Sequence, residues 1–210
     1  LTVFLDSLIS WISGTEPRKF LVFFNNTSEM RPGGGFLGSY AELTIRKGTI
    51  EDSTIRDINE ADKEFDLKII PPVPLQLIVK GWRAADANWF FDFSDSAKKT
   101  ISFLEQSNLY RKEGTVFDGA ISISPAVVRD ALVATGPITV FPENIQFTSD
   151  TFLIEMQKAV QAAQAKKTGD PKKILEKFSA ALFLKIQSFD EKAKTALADI
   201  FPARFLAKDI

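Results

Sequence analysis

The residue types best suited to chemistry fall in Arg31-Pro32-Gly33-Gly34-Gly35-Phe36-Leu37-Gly38-Ser39. Consecutive glycines leave backbone N–H groups open to close approach, and concave turns of this kind favour anions. Arg31 adds a planar donor fork that matches a phosphate. The stretch reads as an anion or polar-ligand site, or else as a tight turn needing left-handed backbone with Arg31 in a surface ion pair. Two nucleotide signatures are half present. Gly33, Gly35 and Gly38 satisfy G-x-G-x-x-G, yet an alternating strand follows where a pyrophosphate needs a helix N-terminus. Gly33 and Gly38 also stand at P-loop spacing with Ser39 next, but the phosphate-binding lysine is missing.

A second constellation runs from Trp82 to Asp95: Trp82-Arg83-Ala84-Ala85-Asp86-Ala87-Asn88-Trp89-Phe90-Phe91-Asp92-Phe93-Ser94-Asp95. Asp86, Asn88, Asp92 and Asp95 are oxygen donors. Mg²⁺ takes one or two carboxylates together with substrate phosphate, which makes it the cofactor this stretch would hold. The pattern is not an EF-hand, because Phe90 and Phe91 fall on that loop's fifth and sixth positions. The interleaved Trp and Phe would suit stacking on a sugar or resting against a lipid. The alternative is a structured loop pinned by its aromatics, with the polar residues as turn and helix caps.

The absences narrow the chemistry. The chain has no Cys and no His, so thiol nucleophiles, imidazole bases and Cys- or His-ligated metals are excluded. Any catalysis must run on carboxylates, Arg, Lys, hydroxyls or a hard cation held by oxygen. A formal net charge of −1 gives no basic field for nucleic acid, which is not expected as a partner. The longest apolar runs, such as Phe20–Phe24, fall far short of the roughly 20 residues of a membrane span. With Leu1 opening the chain, the sequence reads as a piece of a longer protein whose anchor lies elsewhere.

The elements that must carry these residues can be read from periodicity. Thr2–Ile12 has apolar residues at 4, 5, 8, 9 and 12, which predicts a helix. Strands are expected near 19–26, 39–47, 49–58, 117–124 and 138–141, all in one sheet. Residues 60–80, acidic and then proline-rich, read as a loop or edge excursion. Ser94 or Ser96 is expected to cap a helix over 95–110, and Pro125 to open one that stops at Gly136-Pro137. Residues 149–207 read as almost wholly helical. They should dock through Leu153, Met156, Phe178, Leu182 and Phe189, with breaks at Asp170-Pro171, Asp190 and Pro202. The 45% apolar content and 19 Phe suffice for one sizeable core. The expected fold class is α/β (α+β mixed): a mixed central sheet flanked by helices with a helical C-terminal third. Residues 1–210 read as a single domain, with an N-terminal helix (1–16), an α/β core (17–145) and a helical part (146–210).

Phe23-Phe24-Asn25-Asn26-Thr27-Ser28-Glu29-Met30-Arg31-Pro32-Gly33-Gly34-Gly35-Phe36-Leu37-Gly38-Ser39-Tyr40 is the most specific of several motifs. With Asp86-Ala87-Asn88-Trp89, Phe117-Asp118-Gly119-Ala120-Ile121-Ser122-Ile123-Ser124-Pro125 and Thr135-Gly136-Pro137-Ile138-Thr139-Val140, it resembles the bacterial family catalogued as domain of unknown function 4012. That family is associated with membrane-anchored cell-surface proteins. The order of parts resembles, more remotely, the LytR–CpsA–Psr family. Those are extracytoplasmic transferases that move glycopolymers from a polyprenyl-pyrophosphate carrier onto peptidoglycan with Arg, Asp and Mg²⁺. By position the resemblance implies Arg31 as a pyrophosphate-binding Arg, Arg83 as a second, and Asp86 or Asp92 as a metal or acid–base carboxylate. It departs where Arg31-Pro32-Gly33-Gly34 replaces that family's Arg-Ser-Asp-Thr, and where Thr151–Lys166 contains no Arg.

The resulting expectation is an extracytoplasmic, membrane-anchored envelope domain binding a phosphate-bearing glycan or polyprenyl-pyrophosphate carrier. It would act as a divergent glycopolymer phosphotransferase of LytR–CpsA–Psr type, or as a non-catalytic scaffold or glycan-binding module. Expected ligand contacts are Arg31, Gly33, Gly34, Gly35, Ser39, Arg83, Asn88 and Trp89, with Asp86 and Asp92 as catalytic and metal-holding carboxylates.

Overall fold

Lys19–Asn26 is too short and too uniformly apolar to be anything but a buried strand. In the computed structural model, which describes residues 2–27, 29–165 and 173–207, it forms β1 (Arg18–Asn26), an inner strand of a four-stranded sheet. β2 (Phe36–Arg46) returns antiparallel to it, with Phe23 opposite Tyr40 and Phe24 opposite Ser39. The register shifts between Phe24 and Asn25, where the ladder enters the glycine loop. β3 (Thr49–Asp57) follows through the expected Lys47-Gly48 turn, and β4 (Gly119–Ile123) completes the order β3-β2-β1-β4. The fold is mixed α/β, a sheet accompanied by helices, as read from the sequence.

α1 (Thr2–Ile12) forms where periodicity placed it. The acidic start of the 60–80 excursion is α2 (Ile58–Lys63), capped by the Asp57 carboxylate, which accepts from the Asn59 N–H. Two 3-10 turns follow at Val73–Leu77 and Ala84–Asp86, then α3 (Phe93–Gln106) and α4 (Asn108–Arg111). The cap of α3 differs from the expectation. Asp92 rather than Ser94 or Ser96 accepts from the Asp95 N–H, and the Ser96 hydroxyl turns inward to the Phe90 backbone.

The chain divides into two compact units, Leu1–Ser122 and Ile123–Ile210. In the first, Leu21, Phe23, Leu37, Tyr40, Phe103 and Leu104 are fully or almost fully buried in one cluster. The second begins with α5 (Pro125–Thr135), capped by Ser124 and stopped by Gly136 at φ 75°. Here the sequence reading needs correction. The strand at 138–141, β5 (Ile138–Val140), does not join the main sheet. It pairs antiparallel with β6 (Ile145–Phe147) in a separate two-stranded sheet. The strand–helix–strand pattern of 117–141 suggested a crossover. Instead Ile138, Val140 and Phe147 find an apolar surface in their own unit, against Phe152, Ile174 and Phe178.

α6 (Phe152–Ala165), α7 (Lys173–Gln187), α8 (Glu191–Ala198) and α9 (Ile200–Leu206) make the C-terminal part helical as expected. Phe178 is buried and Met156 and Leu182 pack on the same cluster, but Leu153 is exposed and Phe189 is only half-buried outside it. The break expected at Pro202 falls three residues earlier, at Asp199 between α8 and α9, and Pro202 itself sits in the first turn of α9, where its missing N–H costs nothing. The Asp170-Pro171 helix start lies outside the described residues. No helix of the described residues is long and apolar enough to cross a membrane.

Candidate functional site

The glycine loop joins β1 to β2 and is bolted from the second constellation. The buried Asn88 amide donates to the carbonyls of Gly33 (3.0 Å) and Gly35 (2.7 Å), while the Gly33 N–H reaches the Asn88 carbonyl at 3.4 Å. This clamp dictates glycine at 33, because a Cβ there would lie 1.8 Å from Asn88 Oδ1. At Gly35, φ is 138° and a Cβ would lie 2.6 Å from the Asn26 carbonyl, so both backbone and space require glycine. The loop is thus a tight turn with left-handed backbone at Gly34 and Gly35.

Arg31 stands at the loop's entrance. Its guanidinium lies 5.1 Å over the Phe36 ring, donates to the Met30 carbonyl at 2.9 Å, and faces Asp86 Oδ1 at 3.6 Å. The side chain keeps 24% of its surface in solvent, against 15% for Asp86. Its Nε is buried without a hydrogen-bond partner. An ion pair of 3.6 Å is beyond hydrogen-bonding distance, so the fork retains donors for an incoming anion. The sequence-read pair Arg31 and Asp86 is therefore brought together.

The other expected residues take different places. Arg83 is exposed and donates to the backbone carbonyl of Asp62 at 2.7 Å, which ties the 84–86 turn to α2. Asn88 is turned onto the loop backbone, so it shapes the site instead of contacting a ligand through its amide N–H. Ser39 is buried within β2. Trp89 is half-buried beside Asn88 in the chain. Asp92 is an exposed helix cap. Among the described residues no three acidic side chains gather where a metal ion would sit. The carboxylates expected to hold Mg²⁺ are each occupied otherwise, Asp86 opposite Arg31 and Asp92 on the α3 N-terminus, and the pair does not fit a resident metal centre.

Two polar groups that hold this region escaped the sequence reading. Asp62 is buried, and its carboxylate accepts from the N–H groups of Ala84 (2.9 Å) and Ala85 (3.3 Å), fixing the turn that delivers Asp86 and Asn88. Burial pushes its carboxyl up to about 6, against the pull of those two N–H groups and of Arg83. The signal was legible, since Asp62 stands in the apolar stripe Ile58, Ala61, Phe65 that runs along α2 and just past its end. Asn25, also buried, donates to the Ser122 hydroxyl at 2.7 Å and lies under the loop, 3.8 Å from where a Gly34 Cβ would be. A chain of polar contacts, buried at its two tyrosines, links Tyr40 to Tyr110 (2.5 Å), Tyr110 to Glu42, and Glu42 to the half-exposed Arg56. Burial drives both tyrosine hydroxyls well above the ordinary range, so they stay protonated and act as fixed donors.

The family model described as "Protein of unknown function (DUF4012)" matches residues 15–160. Among solved structures, B. subtilis TagV aligns at 11% identity over 88% of this chain and 71% of its own, with a TM-score of 0.51. Lin1025 protein from Listeria innocua aligns at 15% identity over 88% of this chain and 70% of its own, with a TM-score of 0.49. The transcriptional regulator yvhJ from Bacillus subtilis aligns at 15% identity over 87% and 67%, with a TM-score of 0.47. No curated protein matches the sequence.

Proposed function

The chain belongs to the DUF4012 family, and on that footing we propose that it is an extracytoplasmic domain of the cell envelope, anchored through a segment outside this sequence. It binds a phosphate-bearing glycan or polyprenyl-pyrophosphate carrier at the glycine loop. The LytR–CpsA–Psr-like fold supports the envelope setting. The observation that carries the ligand class is Arg31, a partly exposed fork at the mouth of a clamped glycine turn, held to Asp86 by nothing closer than 3.6 Å. In this reading Asp86 is the resting counter-ion that an anionic ligand displaces. Binding is favoured over phosphotransfer because Asp92 and Arg83 are committed to local structure.

Binding of a short-chain polyprenyl-pyrophosphate analogue, with and without Mg²⁺, tests this. Hydrogen bonds to charged groups contribute roughly 1.5–3 kcal/mol, so Arg31→Ala lowers affinity about ten- to a hundredfold. Arg31→Lys recovers little, because a point charge cannot reproduce the fork. Asp86→Asn raises affinity by removing the competing anion. A Mg²⁺-dependent loss in Asp86→Asn would favour the transferase reading instead. Loss of thermal stability in Arg31→Ala with no change in affinity would refute the anion site.

A further inference from the structure

A second surface on the same unit is unrelated to the glycine loop. Between Lys68 and Lys80 the chain reads Ile69-Ile70-Pro71-Pro72-Val73-Pro74-Leu75-Gln76-Leu77-Ile78-Val79, without a single charge. The Trp82 N–H donates to the Ile69 carbonyl at 2.8 Å and closes this excursion at its base. Pro71 and Leu75 are buried and hold it to the body. The remaining large side chains point the other way: Ile70 is 80% exposed, Val73 77%, Leu77 91% and Ile78 77%. Four such side chains on one short excursion are far more than the scattered apolar residues of an ordinary surface.

We propose that this loop docks the domain on an anionic lipid bilayer, its apolar tip seated among the headgroups and Lys68 and Lys80 on the phosphates. Two observations select a bilayer over a protein groove. The first is charge. Both bracketing lysines are exposed, and neither is in an ion pair among the described residues. No acid lies between them, and Asp66, the nearest before them, is neutralised by Arg111 at 3.0 Å. Lysines in that position lay their stems along the apolar tip and keep their ammonium groups at headgroup level.

The second observation is the backbone, which must be satisfied internally before a segment can leave water. Pro71, Pro72 and Pro74 have no N–H to desolvate. The N–H groups of Leu75 and Gln76 bond to the Pro72 carbonyl at 2.8 and 3.2 Å, and those of Ile78 and Val79 to the Leu75 carbonyl at 2.9 Å each. The Gln76 side chain folds back onto the Pro71 carbonyl at 2.9 Å. A protein groove recognising a peptide loop would use such groups, and those of Leu75, Gln76, Ile78 and Val79 are already withdrawn from it.

Co-sedimentation with vesicles of equal parts phosphatidylglycerol and phosphatidylcholine, compared with phosphatidylcholine alone, tests the inference. Wild type binds the anionic vesicles preferentially. Leu77→Asp/Ile78→Asp lowers that binding at least about tenfold, since two large apolar side chains are withdrawn from the membrane. Lys68→Gln/Lys80→Gln lowers it about fivefold per lysine and abolishes the preference for phosphatidylglycerol. Both variants keep the wild-type urea midpoint, because the changed side chains are exposed, and Arg31→Ala keeps wild-type vesicle binding. Equal binding by wild type and Leu77→Asp/Ile78→Asp overturns the proposal. So does loss of vesicle binding in Arg31→Ala, which would place the lipid contact at the glycine loop. A lipid-free dimer that Leu77→Asp/Ile78→Asp dissociates, without vesicle binding by wild type, would assign the patch to a second copy of the chain.

Discussion

Replacing Asn88 with Ala should cost the first unit about 2–4 kcal/mol, and the coupling of that loss to Gly33 can be worked from the geometry. The Asn88 amide serves two loop carbonyls at 3.0 and 2.7 Å, and Asn88 is 5% exposed. Leaving two buried acceptors unpaired costs roughly 1–3 kcal/mol each, less whatever water recovers. Gly33→Ala should cost a similar amount by another route. Gly33 does not have the positive φ of Gly34 and Gly35, so the backbone accepts Ala, but its Cβ would lie 1.8 Å from Asn88 Oδ1 and must expel that side chain. In the Asn88→Ala background the obstruction is gone, and Gly33→Ala becomes nearly free. The double variant should therefore be about as stable as Asn88→Ala by itself, a coupling of about 2–4 kcal/mol where independent sites would add to within roughly 0.5. All three tryptophans, Trp11, Trp82 and Trp89, lie in the first unit, so fluorescence during urea unfolding reads that unit. With a slope of about 1–3 kcal/mol per molar urea, the midpoint should fall by roughly 1–2 M in each single variant and no further in the double. Additive losses would refute the clamp, as would an unchanged midpoint in Asn88→Ala.

In the second unit, Phe178 packs on Phe147 and Phe152 with ring centroids 5.0 Å away in each case. Phe178→Ala should cost about 3–5 kcal/mol by helical circular dichroism, while exposed Leu153→Ala should be near neutral. Asp62 gives a pH signature. Its folded carboxyl titrates at about 6, above its ordinary 3.8, so the native state binds the proton more tightly and loses stability as pH rises from about 4 to 6. The loss amounts to about 2–3 kcal/mol. The difference in stability between wild type and Asp62→Asn should change by that amount across the window, and a difference flat in pH would show that Asp62 titrates normally when folded.

Much of the fold was legible because short-range physics fixes it. Alternation and the Lys47-Gly48 turn set β2 and β3, Pro125 and Gly136 bounded α5, and the apolar spacing of the C-terminal helices placed Phe178 inward. The partnership of β5 was not legible. An apolar tripeptide pairs equally well with any edge, and only the packing of Phe147, Phe152 and Ile174 decided for β6. The cap of α3 fell to Asp92 for a related reason, since neighbouring Asp and Ser are interchangeable in sequence until the inward turn of Ser96 is known.

At the site the division is similar. Residue types and glycine spacing by themselves determined that a tight turn lies at Gly33–Gly35 beside an anion-suited arginine, and that no thiol or imidazole chemistry is available. Only the tertiary structure decided which polar residues face that loop. Asn88 arrives 53 residues after Gly35 through a turn held by a buried carboxylate on α2, and this placement is a long-range contact that no local pattern encodes. The same contact turned Asn88 from an expected ligand contact into the clamp, and left Arg31 opposite Asp86 as the polar pair at the loop's mouth.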